Sequence, residues 1–411
     1  MNNLKSSVAS KHVTFKGGKG EPFHDWYPYL EGFSPEFVKH LLANYMPEAK
    51  LVLEPFAGTG TTPVFLSSLG IDCGYCEVNP SMSMLIATKA ETGKLGISQV
   101  KILIDQLEEL TDALDESVLR AKPDLALQVD YNSNFGSSLF FEEAAYHDVL
   151  KLKTINNEVS ANNSLLGKLM SIAVMSKLVI CSKLKRAGDI RYKTEKELVN
   201  GIPSIVEETK KQLRLITKDC ENHLPLPGHM TLLVPNAKCL PDLIQADGVI
   251  TSPPYLNGTN YFRNTKMELW YCNVLSNVTL RSFRDQAITS GINDVGTAQG
   301  RVIINSTVNE IVKKLTENAY DMRIPRMVAG YFEDMKNVIE RLKSNCKVGA
   351  TMCIDIGDSS YAKVHVPTHE ILVSIGEAIG LKHIETVRLR TRFSKDRTTL
   401  SQSLIVLRKE Q

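Results

Sequence analysis

The stretch that most constrains the fold runs from Leu51 to Pro80. Leu51-Val52-Leu53 is a short apolar run of strand type, and Glu54-Pro55-Phe56-Ala57-Gly58-Thr59-Gly60-Thr61-Thr62 follows it as a turn. Pro63 then opens a helix that runs to Gly70, since proline suits a first helical turn and glycine a helix end. A second strand, Ile71 to Tyr75, leads into Cys76-Glu77-Val78-Asn79-Pro80. Such a β-α-β unit builds a parallel α/β sheet. Gly58 and Gly60 let the backbone approach a ligand closely at the strand-to-helix turn. Glu77, about twenty residues past the turn, stands where nucleotide-binding sheets hold a ribose by its hydroxyls. The full dinucleotide fingerprint is absent, so the expected ligand is a nucleoside without a pyrophosphate.

A third short strand, Gly248-Val249-Ile250, delivers Thr251-Ser252-Pro253-Pro254-Tyr255 to the sheet edge. Pro253 removes a backbone donor and fixes φ, so strand pairing stops there. Pro254 restricts Pro253 in turn and holds its carbonyl in one direction. The result is a rigid turn offering a hydroxyl, an aimed carbonyl and an aromatic face. That combination suits a flat ring with an exocyclic amino group: the ring stacks on Tyr255, and the amino hydrogens meet Ser252 Oγ and the Pro253 carbonyl.

These two motifs together resemble the S-adenosylmethionine-dependent DNA methyltransferases that modify exocyclic amino groups. The Ser-Pro-Pro-Tyr form is similar to the cytosine-N4 members, where adenine-N6 members more often carry Asp or Asn in place of Ser252. Trp26-Tyr27-Pro28-Tyr29 and Gly32-Phe33-Ser34-Pro35-Glu36-Phe37-Val38 resemble the family's cofactor-contacting segment, placed before the glycine turn. Val234-Pro235-Asn236-Ala237-Lys238 resembles the strand end that meets the cofactor's adenine. The family usually has aspartate there, and the Asn236 amide oxygen can accept from an adenine amino group in its place. The likeness spans residues 24–80 and 230–410 but not the block between. It implies that Tyr27, Phe33, Ser34, Pro35, residues 54–62 (Glu54, Pro55, Phe56, Ala57, Gly58, Thr59, Gly60, Thr61 and Thr62), Glu77, Asn79, Asn236 and Thr251 bind S-adenosylmethionine. It also implies that Ser252, Pro253, Pro254 and Tyr255 form the catalytic turn.

The expected fold is therefore a Rossmann-like, mostly parallel α/β methyltransferase sheet with a C-terminal antiparallel hairpin and a large helical insertion. Residues 1–23 are expected as a flexible tail and 24–92 as the first half of the core. Residues 93–228 would be a helical insertion and candidate DNA-recognition domain, and 229–411 the second half of the core. Within the insertion, Leu103, Leu107, Leu110, Leu114 and Leu119 recur at helical steps, residues 130–138 read as a loop, and 165–181 as an apolar helix.

Net charge is only +2, so a nucleic-acid surface must be local. Lys185, Arg186 and Arg191 form one basic run, Arg263 and Lys266 follow the catalytic turn, and Arg388, Arg390, Arg392, Lys395 and Arg397 surround the loop of the terminal hairpin. All are candidate phosphate contacts. Asn257-Gly258 and Asn260-Tyr261 read as a mobile segment, and the stretch 289–300, flanked by Arg281, Arg284 and Arg301, as a loop that orders on DNA or as ordinary surface disorder. Eight scattered cysteines and nine histidines show no metal spacing, and Cys73 and Cys76 read as core residues of a reducing compartment. Residues 1–16 carry no apolar secretion core, and no stretch is long and apolar enough to span a membrane.

The expectation is a prokaryotic cytoplasmic enzyme that uses S-adenosylmethionine, acts on double-stranded DNA at cytosine N4 and serves a restriction–modification system beside a cognate endonuclease. It would involve neither metal nor membrane. Adenine N6, an RNA base, or a DNA-binding protein with a decayed site are the competing readings. No Pro-Cys dipeptide occurs, which argues against the covalent chemistry of carbon-5 cytosine methylation.

Overall fold

The structure, a computed structural model, describes residues 11–29, 32–256, 261–295, 305–394 and 397–411. In chain order the described strands are β1 (Leu51–Glu54), β2 (Asp72–Tyr75), β3 (Leu184–Ala187), β4 (Asp189–Tyr192), β5 (Met230–Leu232), β6 (Ala246–Thr251), β7 (Cys346–Gly357), β8 (Ser359–Tyr361), β9 (Val364–Val366), β10 (Leu381–Phe393) and β11 (Thr399–Lys409). Seven of them form one sheet in the order β10-β11-β7-β6-β1-β2-β5. The pairings of β5, β2, β1, β6 and β7 are parallel, and β11 runs antiparallel to both β7 and β10. This is the mostly parallel α/β sheet with a terminal antiparallel hairpin. Strand order reverses between β1 and β6, where such sheets open a crevice at their carboxyl ends.

The core follows from strand periodicity. Val52, Ile250, Cys353 and Leu404 face one side, where they pack against Phe37, Val38 and Leu41 of helix α1 (Pro35–Tyr45). Leu53, Val249, Met352 and Ile354 face the other, against the amphipathic helix Arg323–Asn345. Successive strand residues thus serve opposite faces, which makes both faces apolar and the central strands nearly continuous hydrophobic runs.

Helix α2 (Thr61–Ser68) begins two residues earlier than Pro63 suggests. Its cap is Gly60, held in the left-handed region at φ 85°, rather than a threonine hydroxyl. Helix α3 (Pro80–Gly93) is capped by Asn79, whose side chain accepts from the backbone of Ser81 and Met82.

The block between the two resembling regions contains the helices Ile97–Arg120, Leu125–Phe135, Glu143–Asn162, Ser164–Lys177 and Ile205–Asn222. Residues 130–138, expected as a loop, lie largely in the second of these. Leu127, Tyr131 and Phe135 recur every four residues on one face, and Asp124 caps the helix through Leu127 N. Tyr131 meets Trp270 edge-on at 5.1 Å, so tertiary packing outweighs the local polarity. The basic run is a hairpin of β3 and β4 that turns at Gly188.

Residues 11–23 also depart from the expected tail. Val13, Phe15 and Phe23 are buried, and His24 Nε2 lies 2.7 Å from Phe15 O. One hydrophobic cluster joins the helical block to Trp26 and Tyr27 on one side and to Met267, Leu269 and Trp270 on the other. Among the described residues no helix is long and apolar enough to cross a membrane.

Candidate active site

The carboxyl ends of β1, β2 and β6 open into a cavity of about 630 Å³, within the ~300–1,000 Å³ usual for small-molecule sites. Tyr27, Phe33, Glu54, Pro55, Phe56, Ala57, Gly58, Thr59, Thr61, Thr62, Glu77, Asn79 and Asn236 border it. Ser252, Pro253, Pro254 and Tyr255 border the same cavity. Two motifs almost two hundred residues apart in sequence are therefore neighbours in space. Ser34, Pro35, Gly60 and Thr251 do not border it.

Glu54 ties the two turns together. The register that pairs Leu53 with Val249 brings the ends of β1 and β6 side by side. Glu54 Oε1 then accepts from Phe56 N at 3.0 Å and from Thr251 Oγ1, while Oε2 accepts from Thr62 Oγ1 at 3.0 Å. Burial pushes this carboxyl up to about 7, against the pull of those three donors. It anchors Thr251, the residue just before the Ser-Pro-Pro-Tyr turn, to the glycine turn.

Glu77 does comparable work on the other flank. Its Oε2 accepts from Gly58 N and its Oε1 from Asn79 N, each at 2.7 Å. Burial pushes it to about 7 as well. Both carboxylate oxygens keep a further lone pair for ligand hydroxyls. Gly58, at φ 55°, occupies a conformation costly for other residues, and an added Cβ would lie 3.4 Å from the Tyr29 ring at the cavity wall. At Gly60 an added Cβ would come within 2.8 Å of Ile86. Beneath the turn, buried Lys89 donates from Nζ to Thr59 O at 2.8 Å, and burial brings its ammonium down to about 7.

Asn79 reaches across the cavity, donating from Nδ2 to Thr265 Oγ1 at 2.8 Å. Asn236 Oδ1 accepts from Lys238 N at 2.9 Å, so its side chain caps its own turn at the cavity edge. At the Ser-Pro-Pro-Tyr turn the Tyr255 hydroxyl lies 3.3 Å from Asp355 Oδ2, and the Arg392 guanidinium sits over the Tyr255 ring at 5.1 Å. Burial raises the Tyr255 phenol well above its ordinary value.

The basic residues divide into distinct groups. Arg186 borders the cavity, but its guanidinium is bound to the buried Glu268 and to Tyr27 OH at 2.8 Å. This candidate phosphate contact is thus engaged inside the protein, with its charge paired to Glu268. Lys185 and Arg191 both pair with Glu197, and Arg263 pairs with Asp189 at 3.0 Å. The Lys266 ammonium lies over the Phe135 ring. Arg390 and Arg392 border the cavity, Arg388 and Arg397 are exposed, and Lys395 lies outside the described residues. So do Asn257, Gly258, Asn260 and Arg301.

Several residues that line the cavity or support its walls escaped the sequence reading. Val13, Phe15 and Lys16 border the cavity from the presumed tail, and nothing in their polar surroundings marks them. Glu268 and Asp355 do leave a sequence trace: each is a lone acid inside an apolar run, Met267–Tyr271 and Met352–Ile356, where a charge has to find a partner.

No family model matches the chain. Among curated proteins it is similar to the Type II methyltransferase M.BsoBI of Geobacillus stearothermophilus, at 25% identity over 93% of this chain and 83% of that protein. The Type II methyltransferase M.AvaI of a Nostoc strain is 24% identical over 92% of this chain and 83% of its own length. A third, M.MjaII of Methanocaldococcus jannaschii, matches only 26% of the chain, at 27% identity. Among solved structures, an rRNA methyltransferase from Streptomyces viridochromogenes covers 93% of this chain and 87% of its own, with a TM-score of 0.31 and 8% identity. The class that the fold and the near full-length sequence likeness jointly support is a methyltransferase.

Proposed function

We propose that the chain is a DNA methyltransferase of a restriction–modification system, acting with S-adenosylmethionine on the exocyclic N4 amino group of a flipped-out cytosine. The observation that carries this reading is the single cavity shared by the Gly58–Gly60 turn, Glu77 and the Ser252–Tyr255 turn. The residues fit the cofactor: the left-handed glycines clear the wall, Glu77 offers acceptors to ribose hydroxyls, and the Asn236 amide lies at the edge where an adenine amino group would be met. When bound, S-adenosylmethionine supplies an electrophilic sulfonium methyl.

The chain's own part is to prepare an aromatic amine. Its lone pair is delocalised into the ring while the amino group stays planar. Ser252 Oγ and the Pro253 carbonyl, accepting from the two amino hydrogens, favour a pyramidal nitrogen with an available lone pair. Positioning of this kind supplies up to ~7–11 kcal/mol of rate acceleration. Flipping the base out of the duplex costs about a few kcal/mol, part of which stacking on Tyr255 offsets. No strong base is needed, because the amino proton is acidic once the nitrogen carries a fourth substituent. Serine rather than Asp or Asn at position 252 favours cytosine.

The protein would be assayed for transfer of labelled methyl to DNA and to RNA, with Ser252→Ala beside it. Ser252→Ala is expected to lower turnover far more than cofactor affinity. Equal loss of both would refute the assigned role, and transfer to RNA alone would refute the substrate.

A further inference from the structure

Resting on that reading, we infer that Asp355, Gln402 and Arg392 are positioning residues that hold the Tyr255 ring in the plane on which the target base stacks. The two prolines stiffen the backbone of the turn but leave the tyrosine side chain to be oriented by its neighbours. Those neighbours come from the three strands at the far edge of the sheet.

Asp355, on β7, accepts from the Tyr255 hydroxyl at 3.3 Å. Gln402, on β11, donates from Nε2 to both Asp355 oxygens at 2.8 Å. The Gln402 carbonyl oxygen is taken by Arg390 Nε, so the amide cannot flip without losing both partners. Asp355 and Gln402 are 2% and 1% exposed, so the pair is almost wholly shielded from solvent even though Gln402 borders the cavity. Burial lifts the Asp355 carboxyl to about 6, and above that pH it is an acceptor for both neighbours.

Arg392, on β10, covers the ring. Its guanidinium carbon is 5.1 Å from the ring centroid, and Nη2 is tethered to Asp358 O at 3.4 Å. Among the described residues its buried Nε has no hydrogen-bond partner. Gly357 leaves the room for this arrangement: an added Cβ would meet Arg392 Nη2 at 2.2 Å and the Tyr255 ring at 3.0 Å. The ring is thus fixed at its hydroxyl, over one face and along one edge. The remaining face is left for the base. A hydrogen-bonded acid and amide would also satisfy each other in any core, so the distinguishing prediction is that Asp355 acts through Tyr255.

A double-mutant cycle on methyl transfer to DNA reads this directly. Asparagine at 355 replaces one acceptor oxygen with an NH2 donor, which then faces the donor of Gln402 or of Tyr255. Asp355→Asn and Tyr255→Phe are each expected to lower kcat roughly threefold to tenfold, with cofactor affinity unchanged. Combined, they should lower it no further than either alone. Multiplicative losses, or full activity in folded Asp355→Asn, would overturn the inference. Gly357→Ala, whose Cβ would crowd both the Arg392 guanidinium and the Tyr255 ring, provides a second arm if Asp355→Asn does not fold. It should lower kcat with cofactor affinity intact, and full activity would again overturn the proposal. Absence of methyl transfer by the wild-type protein would instead sink the underlying reading.

Discussion

The titration of Glu77 is expected to make the proposed cofactor site pH-sensitive. Its carboxyl is raised to about 7 by burial, and each oxygen already accepts one backbone N–H, from Gly58 and Asn79. Ribose hydroxyls donate best to the ionised form, so binding selects the deprotonated protein. Ligand affinity is then present above about pH 7 and lost as the pH falls through it. With a single group of that pKa, roughly nine-tenths is ionised at pH 8 and one-tenth at pH 6, which weakens apparent binding about tenfold, or ~1.4 kcal/mol. Folding stability has the opposite sign. A carboxyl whose folded value is raised binds protons more tightly when folded, so between its ordinary value and about pH 7 the ligand-free protein loses stability as pH rises. Calorimetric titration of S-adenosylmethionine from pH 5.5 to 8.5 (an experimental range, with Glu77→Gln in parallel) separates the sources. Glu77→Gln should bind weakly with a flat profile. A slope in Glu77→Gln equal to that of the wild type would refute the argument and move the titration to Glu54, which is raised to about the same value.

Three further outcomes are expected. Gly60→Ala should cost about 1–2 kcal/mol for the left-handed backbone, beyond the contact with Ile86, and should weaken cofactor binding; chemical denaturation and calorimetry check the two effects separately. Arg186→Met strands the fully buried Glu268 and should destabilise by about 3–5 kcal/mol, whereas Arg186→Met with Glu268→Met should recover most of that loss in urea unfolding. Replacing exposed Arg388 with Ser should weaken DNA binding across all sequences and reduce the slope of log Kd against log salt by about 1, while Lys185→Ser, already paired with Glu197, should change it less.

Much of the site was legible because local chemistry dictates it. Left-handed turns select Gly58 and Gly60, and the double proline ends β6 wherever the rest of the chain goes. The continuous burial of β1 and of the second half of β7 followed from apolar runs that need two covered faces. What stayed hidden depends on contacts distant in sequence. Arg186 reads as one cation in a basic run, yet Glu268, eighty-two positions away, draws it inward. Residues 130–135 look like a loop until Trp270 supplies the surface on which Tyr131 packs. Phe15 reads as part of a polar tail until His24 stacks on it at 3.9 Å. No periodicity encodes pairings of this kind.

The central claim is methyl transfer to an exocyclic amino group of DNA. It is tested most directly by nucleoside mass spectrometry of DNA from cells expressing the protein, beside cells expressing Tyr255→Ala. The prediction is N4-methylcytosine in the first and none in the second. N6-methyladenine would preserve the site and its chemistry but overturn the choice of base. No methylated nucleoside in either, from a protein shown to bind S-adenosylmethionine, would contradict DNA as the substrate.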